Sequence, residues 1–141
     1  MKKVMAFGTF DVYHKGHENY LRQARKLGEY LVVVVARDRT VAIIKKQDTR
    51  NKEQERLERI KLSGLADEVV LGDLKDKYKI IEKYRPDLIA LGYDQKVDLV
   101  KLKDKLKEFN LKAKIVRLKS FKPEIYKSSL IMKHKTCNMK Q

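Results

Sequence analysis

Two closely spaced histidines are the side chains best suited to chemistry in this sequence. They end the stretch Gly8-Thr9-Phe10-Asp11-Val12-Tyr13-His14-Lys15-Gly16-His17. An apolar run precedes this stretch, and apolar residues at helical spacing follow it. The pattern predicts a buried strand, a tight turn and a helix start. Because a helix start presents unpaired backbone N–H groups and a positive dipole end, we expect a nucleotide phosphate site here.

The rest of the chain alternates strand and helix patterns, which is typical of α/β folds. We predict strands over 3–7, 30–36, 67–71, 87–91 and 113–118, and helices over 16–27, 52–62, 75–84 and 97–109. Gly28 and Gly64 are the expected ends of the first two helices. Residues 37–50 read as a basic loop with a helical turn. The prediction is a Rossmann-like open sheet of about five parallel strands with helices on both faces.

Length and cysteine content bound the broad class of protein. The 141 residues predict one domain, over 1–132, with a basic and frayed tail over 133–141. No apolar run reaches the roughly 18 residues of a membrane span. The single cysteine, Cys137, excludes a disulfide within the chain. We therefore expect a cytoplasmic protein with no membrane partner.

The formal net charge of +15 predicts attraction to polyanions or phosphorylated small molecules. A nucleic-acid-binding module is one alternative that this charge suggests, and it would bind in a strongly salt-dependent manner. The lysines are spread along the chain, however, and the clustered aromatic platform of a single-strand binder is missing. A solvated charged surface is the competing explanation, and nucleic acid is not the expected partner.

The histidine turn matches neither of the common nucleotide-binding loops. No G-x-G-x-x-G follows the first strand, and no G-x-x-x-x-G-K-[ST] occurs anywhere. The turn instead resembles the H-x-G-H nucleotidyltransferase superfamily, and in detail its cytidylyltransferase-like branch, whose members read G-T-F-D-x-x-H-x-G-H at this place. The resemblance covers residues 1 to about 132 and implies transfer of a nucleoside monophosphate from a triphosphate to a phosphorylated acceptor.

The resemblance assigns roles within the turn. It makes His14 and His17 the catalytic pair that donates hydrogen bonds to phosphate oxygens. Thr9 and Phe10 are expected to line the triphosphate, and Asp11 to lie near the acceptor phosphate or the metal. Gly8 and Gly16, having no side chain, would let the nucleotide approach the backbone closely.

Further groups match secondary features of the family. Lys45 corresponds to its catalytic phosphate-binding lysine, with Lys46 beside the acceptor, and Arg56 to its arginine near the next helix start. The turn at Gly92, Tyr93 and Asp94 sits where the family holds base and ribose. A solvated charged face and a plain Gly-Asp turn are the competing readings.

The last family motif is imperfect. Family members end with an R-T-x-G-I-S-[ST]-like motif that holds the triphosphate. The corresponding stretch here keeps a serine pair but lacks the glycine and the arginine–threonine pair. We expect Lys127, Ser128 and Ser129 to replace that motif, and one of the serines to cap a last helix.

Two branches of the family compete for the activity. Glycerol-3-phosphate cytidylyltransferases share the first motif. Archaeal-type FAD synthases, which adenylylate FMN, share it and also resemble the stretches 36–41 and 91–95. The resemblance therefore implies ATP and FMN as substrates, a divalent cation such as Mg²⁺ with the triphosphate, and a homodimer. CTP with glycerol 3-phosphate is the alternative, and no protein side chain is assigned as a metal ligand.

Overall fold

Five parallel strands form one sheet with the order β3-β2-β1-β4-β5. The computed structural model describes residues 2–45, 49–73, 76, 78–92, 95 and 97–119, without the side chains of Ile44 and Lys45. The strands are β1 Lys3–Gly8, β2 Tyr30–Val35, β3 Glu68–Leu71, β4 Leu88–Leu91 and β5 Lys114–Arg117. All four neighbouring pairs are parallel, as predicted.

Helices connect successive strands. They are α1 Lys15–Arg25, α2 Asp38–Lys45, α3 Glu53–Ser63, α4 Lys79–Tyr84 and α5 Leu99–Glu108. Within the part of the chain that is described, none of them is long and apolar enough to cross a bilayer.

Side chains alternate between two cores on opposite faces of the sheet. Along β2, residues 31, 33 and 35 pack on one face with α1 and α3, and residues 32 and 34 pack on the other with α4 and α5. This period of two explains the continuous β-branched run, because both faces of a central parallel strand are covered. Burying one such side chain contributes roughly 1.5–3 kcal/mol. The predicted fold class is thereby confirmed.

Two local predictions need correction. The stretch after β2 contains a helix of eight residues, α2, rather than a loop with one helical turn. Its first N–H, from Asp38, is accepted by Glu53 Oε1 at 2.8 Å, a bond from a distant segment that periodicity does not reveal. Gly28 is not the cap of α1, since that cap is Lys26 with a φ of −74°. A Cβ at Gly28 would lie 2.6 Å from the Lys2 carbonyl oxygen, so close strand packing explains this glycine.

Helix α4 begins later than predicted. Asp76 N donates to Asp73 Oδ1 at 2.9 Å, and Tyr78 N donates to Asp76 Oδ1 at 3.0 Å. Aspartate side chains that bond to nearby backbone compete with helix formation, so the helix starts only at Lys79. Gly64 does end α3, with a left-handed φ of 71°, as predicted.

Candidate active site

The carboxyl ends of β1 and β4 frame the candidate site. β1 lies between β2 and β4, so strand order reverses at the β1–β4 boundary. Ligands of open α/β sheets bind in the crevice at such a point. The histidine turn follows β1 directly and leads into α1, which places it at this crevice.

The start of α1 itself orients the two imidazoles. His14 is the N-cap, and its Nδ1 accepts a hydrogen bond from Gly16 N at 3.0 Å. His17 Nδ1 accepts one from His14 N at 3.2 Å, and the two rings stack with centroids 3.8 Å apart. Because Nδ1 is the acceptor in both rings, the neutral imidazoles carry their hydrogen on Nε2. Both are therefore set to donate from Nε2, the polarity that phosphate oxygens require.

Aromatic rings surround His17. Phe10 meets it edge-on at 5.5 Å between centroids, and Tyr13 lies at 5.8 Å. Phe10 is only 4% exposed and stacks on Tyr20 at 6.2 Å. Each aromatic pair contributes about 0.5–1.5 kcal/mol beyond its buried area. The rings of Phe10 and Tyr13 thus pack against His17. Because the Phe10 ring lies in the core, the predicted contact of Phe10 with a triphosphate stays a prediction.

The two glycines of the turn leave room for the turn's own rings. A Cβ at Gly8 would lie 2.8 Å from the Phe10 ring, and one at Gly16 would lie 2.8 Å from His14 Cε1. A side chain at either position would displace the neighbouring ring. Close approach of a nucleotide to these glycines remains a prediction.

Two side chains fill the opening where β1 and β4 separate beyond Ala90. The Tyr20 hydroxyl donates to Ala90 O at 2.7 Å and accepts from Phe7 N at 3.1 Å. Gln95 Nε2 donates to Phe7 O at 3.2 Å, and its Oε1 accepts from Gly92 N at 3.0 Å. Burial raises the pKa of Tyr20, so its hydroxyl stays protonated. These bonds satisfy backbone groups at the carboxyl ends of β1 and β4.

Arg56 is buried beneath the turn, with 0% of its side chain exposed. Nε donates to Asn51 O at 3.0 Å, and the two terminal nitrogens donate to Thr9 O and Asp38 Oδ1, both at 2.7 Å. Arg56 therefore joins the turn after β1, the start of α2 and the segment before α3. It supports Thr9 from within the protein, and its predicted contact with a nucleotide stays a prediction.

Two carboxylates tie α2 to α3. Asp38 N donates to Glu53 Oε1 at 2.8 Å, and Glu53 N donates to Asp38 Oδ2 at 3.2 Å. Acidic side chains are favourable at helix starts because of the helix dipole. Burial alone would raise the pKa of Asp38, but the hydrogen bonds from Arg56 and from Glu53 N outweigh it and lower that pKa. Asp38 is thus an ionised partner of Arg56 beneath the turn, whereas Glu53 pairs with Arg37 at 3.2 Å.

Asp11 is directed at the segment before α3. Its Oδ2 accepts from Arg50 N at 2.8 Å, and its Oδ1 accepts from Asn51 N at 2.9 Å. Burial would raise the pKa of Asp11, but these two bonds and the charge of Arg56 lower it below its usual value. Asp11 therefore anchors residues 50 and 51, and its predicted place beside the acceptor phosphate or metal is not tested by these contacts.

Known proteins identify the family of the chain. The family model described as cytidylyltransferase-like matches residues 5–135. The chain belongs to the cytidylyltransferase-like family. This confirms the resemblance that the histidine turn indicated.

Curated relatives of this cytidylyltransferase-like chain match most of its length. An FAD synthase of Ferroglobus placidus is 45% identical over 120 residues, which are 85% of this chain and 78% of that protein. One of Methanobrevibacter smithii is 47% identical over 125 residues, 86% and 81% of the two chains. One of Thermoplasma acidophilum is 41% identical over 133 residues, 94% and 93%.

Solved structures share the fold. A protein of Thermoplasma volcanium, described as a lipopolysaccharide core biosynthesis protein, has a TM-score of 0.80 and 41% identity, covering 86% of this chain and 98% of that one. A pantoate-beta-alanine ligase of Francisella tularensis, in complex with Beta-gamma ATP and beta-alanine, has a TM-score of 0.64 and 17% identity, covering 87% and 61%. The second match shows the fold alone.

The second turn of this cytidylyltransferase-like domain is described only in part. Gly92 follows β4 at the same edge as the histidine turn, and its carbonyl accepts from an Arg117 terminal nitrogen at 2.8 Å. The Gln95 carbonyl accepts from the same nitrogen. Arg117 thereby braces this turn from β5. Several predicted site residues lie outside the described residues: Lys46, Tyr93, Asp94, Lys127, Ser128 and Ser129. Lys45 ends α2, and its side chain is not described.

Several supporting residues were missed from the sequence. Tyr20 lies at a helical core position, and nothing in the pattern distinguishes its hydroxyl from that of any buried tyrosine. Asn51 and Arg117 look like ordinary surface residues in sequence. Asp38 offered a weak signal, because an acidic residue directly after a buried strand lies at the carboxyl edge of the sheet.

Proposed function

We propose that this cytidylyltransferase-like enzyme is an FAD synthase, which transfers AMP from ATP to the phosphate of FMN. The observation that carries the proposal is that relatives 37–47% identical over most of the chain are FAD synthases. The geometry of His14 and His17 at the strand-order reversal supports it independently. Enzymatic nucleotidyl transfer itself follows from the family and these relatives.

The reaction requires that the two substrates be positioned and that charge on the triphosphate be stabilised. It does not require a general base. An FMN phosphate oxygen is already anionic, so it attacks the α-phosphorus of ATP without losing a proton. A new P–O bond forms, the bond from the α-phosphorus to the bridging oxygen breaks, and pyrophosphate leaves with that electron pair. His14 and His17 would donate from Nε2 to the triphosphate oxygens as charge develops.

A divalent cation, most simply Mg²⁺, is proposed to arrive with the triphosphate. Mg²⁺ takes oxygen ligands and is commonly held by substrate phosphates with one or two carboxylates. Within the residues described here, no group of three or more His, Cys, Asp or Glu side chains could hold an ion. When bound, the cation would neutralise charge on the triphosphate and on the leaving pyrophosphate.

Further contacts between protein and substrates are proposed from the resemblance to the family. Lys45 and Lys46 would bind phosphate, the Gly92–Asp94 turn would hold base and ribose, and Lys127 with the following serine pair would contact the triphosphate. Residues 1–132 would form the catalytic domain, with 133–141 as a basic tail. A cytoplasmic homodimer is the proposed state of the enzyme, and light scattering after size-exclusion chromatography tests its mass.

Product identification tests the substrate assignment. The purified chain is incubated with Mg²⁺ and each combination of ATP or CTP with FMN or glycerol 3-phosphate, and products are identified by mass spectrometry. FAD and equal pyrophosphate should form only from ATP with FMN. Turnover only from CTP with glycerol 3-phosphate would assign the protein to the other branch instead.

A further inference from the structure

Val12 holds an unfavourable backbone conformation within the histidine turn. Its φ of 52° lies in the left-handed region, where a β-branched residue is a steric outlier. The residue is 49% exposed, so burial of apolar surface does not compensate for the unfavourable φ. Contacts to its backbone must therefore hold the conformation.

Other left-handed residues in the described part of the chain have an evident local cause. Besides Val12, the non-glycine residues with positive φ are Phe10, Arg85 and Asn110. The Phe10 ring is buried in the core, Arg85 is the C-cap of α4, and asparagine is enriched in this region of backbone space. Val12 has none of these features.

The contacts that hold Val12 come from the segment before α3. Val12 N donates to Asn51 Oδ1 at 3.3 Å. The Asp11 carboxylate accepts from Arg50 N and Asn51 N at 2.8 and 2.9 Å. These three hydrogen bonds, here called the latch, join residues 11 and 12 to residues 50 and 51. Each segment both donates and accepts.

The latch acts on the imidazoles through a short stretch of backbone. Only Tyr13 separates Val12 from His14, which enters α1 with an extended φ of −143°. Relaxation of Val12 to negative φ would redirect the chain entering α1 and turn the His14 side chain. His17 would follow, because its Nδ1 accepts from His14 N.

We propose that Asn51 is a positioning residue for nucleotidyl transfer, which holds Val12 in its left-handed conformation and thereby aims His14 and His17. This inference rests on the proposed function, because kcat is measured as the rate of FAD synthesis. The Asn51 side chain touches no reacting atom and acts through its hydrogen bond from Val12 N, while the Asn51 carbonyl separately accepts from Arg56 Nε.

A double-mutant cycle tests this role. Asn51→Ala removes the acceptor for Val12 N, and kcat should fall about tenfold, equivalent to about 1.4 kcal/mol, with KM for ATP changed less than about threefold. Val12→Gly adopts positive φ without steric cost. The double variant should therefore recover kcat to within about threefold of Val12→Gly alone, the coupling expected of interacting residues. Asn110→Gly, at a left-handed position after α5, is the matched control and should leave kcat unchanged.

Two further readouts do not depend on turnover. Amide hydrogen exchange at Val12 should be faster in Asn51→Ala, and the imidazole NMR signals of His14 and His17 should shift in that variant and return in the double variant. A wild-type chain that makes no FAD would defeat the proposed function, while these signals would still report on the latch. Unchanged kcat in Asn51→Ala, or a loss that Val12→Gly does not rescue, would overturn the positioning role.

Discussion

The same kinds of polar side chain serve different purposes at the two ends of the strands. The amino edge here means the side of the sheet where the strands begin, and the carboxyl edge the side where they end. At the amino edge, Glu68 accepts hydrogen bonds from the hydroxyls of Tyr30 and Tyr84, and Asp87 Oδ2 accepts from Lys3 N at 2.8 Å. These bonds join the ends of regular elements. At the carboxyl edge, Asp11 and Arg56 instead hold loop segments and carry a turn with two left-handed non-glycine residues.

This difference separates stability from function. At the amino ends of the strands, a polar group that joins regular elements contributes to folding and lies away from the crevice. A polar group that holds a turn in an unfavourable conformation affects both stability and function, because strain at a site persists only where neighbouring contacts enforce it. Substitutions at the carboxyl edge should thus change catalysis and stability, and those at the amino edge should change stability alone.

The largest effect is expected at His17. His17→Ala removes a donor to the developing phosphate charge, and kcat should fall about 100- to 1,000-fold. It also removes the acceptor for His14 N, at a cost of about 1 kcal/mol in stability. His17→Gln keeps an acceptor of the capping-box type and should restore stability without restoring kcat. Steady-state pyrophosphate release and urea unfolding measure the two, with Lys26→Ala at the far end of α1 as control.

Arg56 comes next. Arg56→Leu leaves Asp38 without its arginine and two carbonyl oxygens without donors, so the free energy of unfolding should fall by about 3 kcal/mol. The folded fraction should also show reduced kcat, because Thr9 loses its support. Arg56→Lys keeps the charge but not the three-nitrogen fork, and should be intermediate. Lys61→Ala, exposed on the same helix, should change stability by less than about 0.5 kcal/mol. Full activity in stable Arg56→Leu would show that the carboxyl edge needs no such support.

At the amino edge, Glu68→Gln should lower stability by about 1–2 kcal/mol, because two hydroxyl donors lose a charged acceptor. Its kcat should stay that of wild type, since β3 begins at the edge away from the histidine turn. Urea unfolding and pyrophosphate release in parallel check this. A drop in kcat without a drop in stability would remove the distinction between the two edges.

The smallest expected effect is a pH dependence of the free energy of unfolding, which arises from the Tyr84–Glu68 hydrogen bond at the amino edge. Burial, with the hydrogen bond to Glu68, raises the pKa of Tyr84 to about 12, above an unfolded value of about 10. A raised pKa means that the neutral hydroxyl stabilises the folded state fully below pH about 10 and that this contribution is lost as pH rises through about 12. The stability difference between wild type and Tyr84→Phe should therefore shrink in urea unfolding above pH 10. A constant difference would contradict the Tyr84–Glu68 bond.

The fold was predictable because its signals are periodic. The β-branched run of β2 and the helical apolar spacing of α1 repeat over enough residues to identify both faces of the sheet. The place of the H-x-G-H residues between a strand and a helix was predictable because an apolar run precedes them and apolar residues at helical spacing follow them. Long-range partners leave no such repeat. The bond from Asp38 N to Glu53 spans 15 residues and that from Val12 N to Asn51 spans 39, so neither the extent of α2 nor the support of the turn was visible.

Roles were harder to predict than positions. Arg56 was expected to contact the nucleotide and Asp11 the acceptor phosphate or metal, and both contacts stay predictions. The sequence cannot tell a buried arginine from an exposed one. The structure directs both side chains at backbone of neighbouring segments. Charge that supports a site from beneath and charge that meets a ligand have the same appearance in a sequence.

One competition experiment tests the central claim most directly. ATP, CTP, FMN and glycerol 3-phosphate are supplied together with Mg²⁺ to the wild-type chain and to His17→Ala, and nucleotide products are identified by mass. The account predicts FAD as the sole product of the wild-type chain, with equimolar pyrophosphate, and almost none from His17→Ala. CDP-glycerol as the main product would contradict the substrate assignment, and undiminished turnover by His17→Ala would contradict the role of the histidine turn.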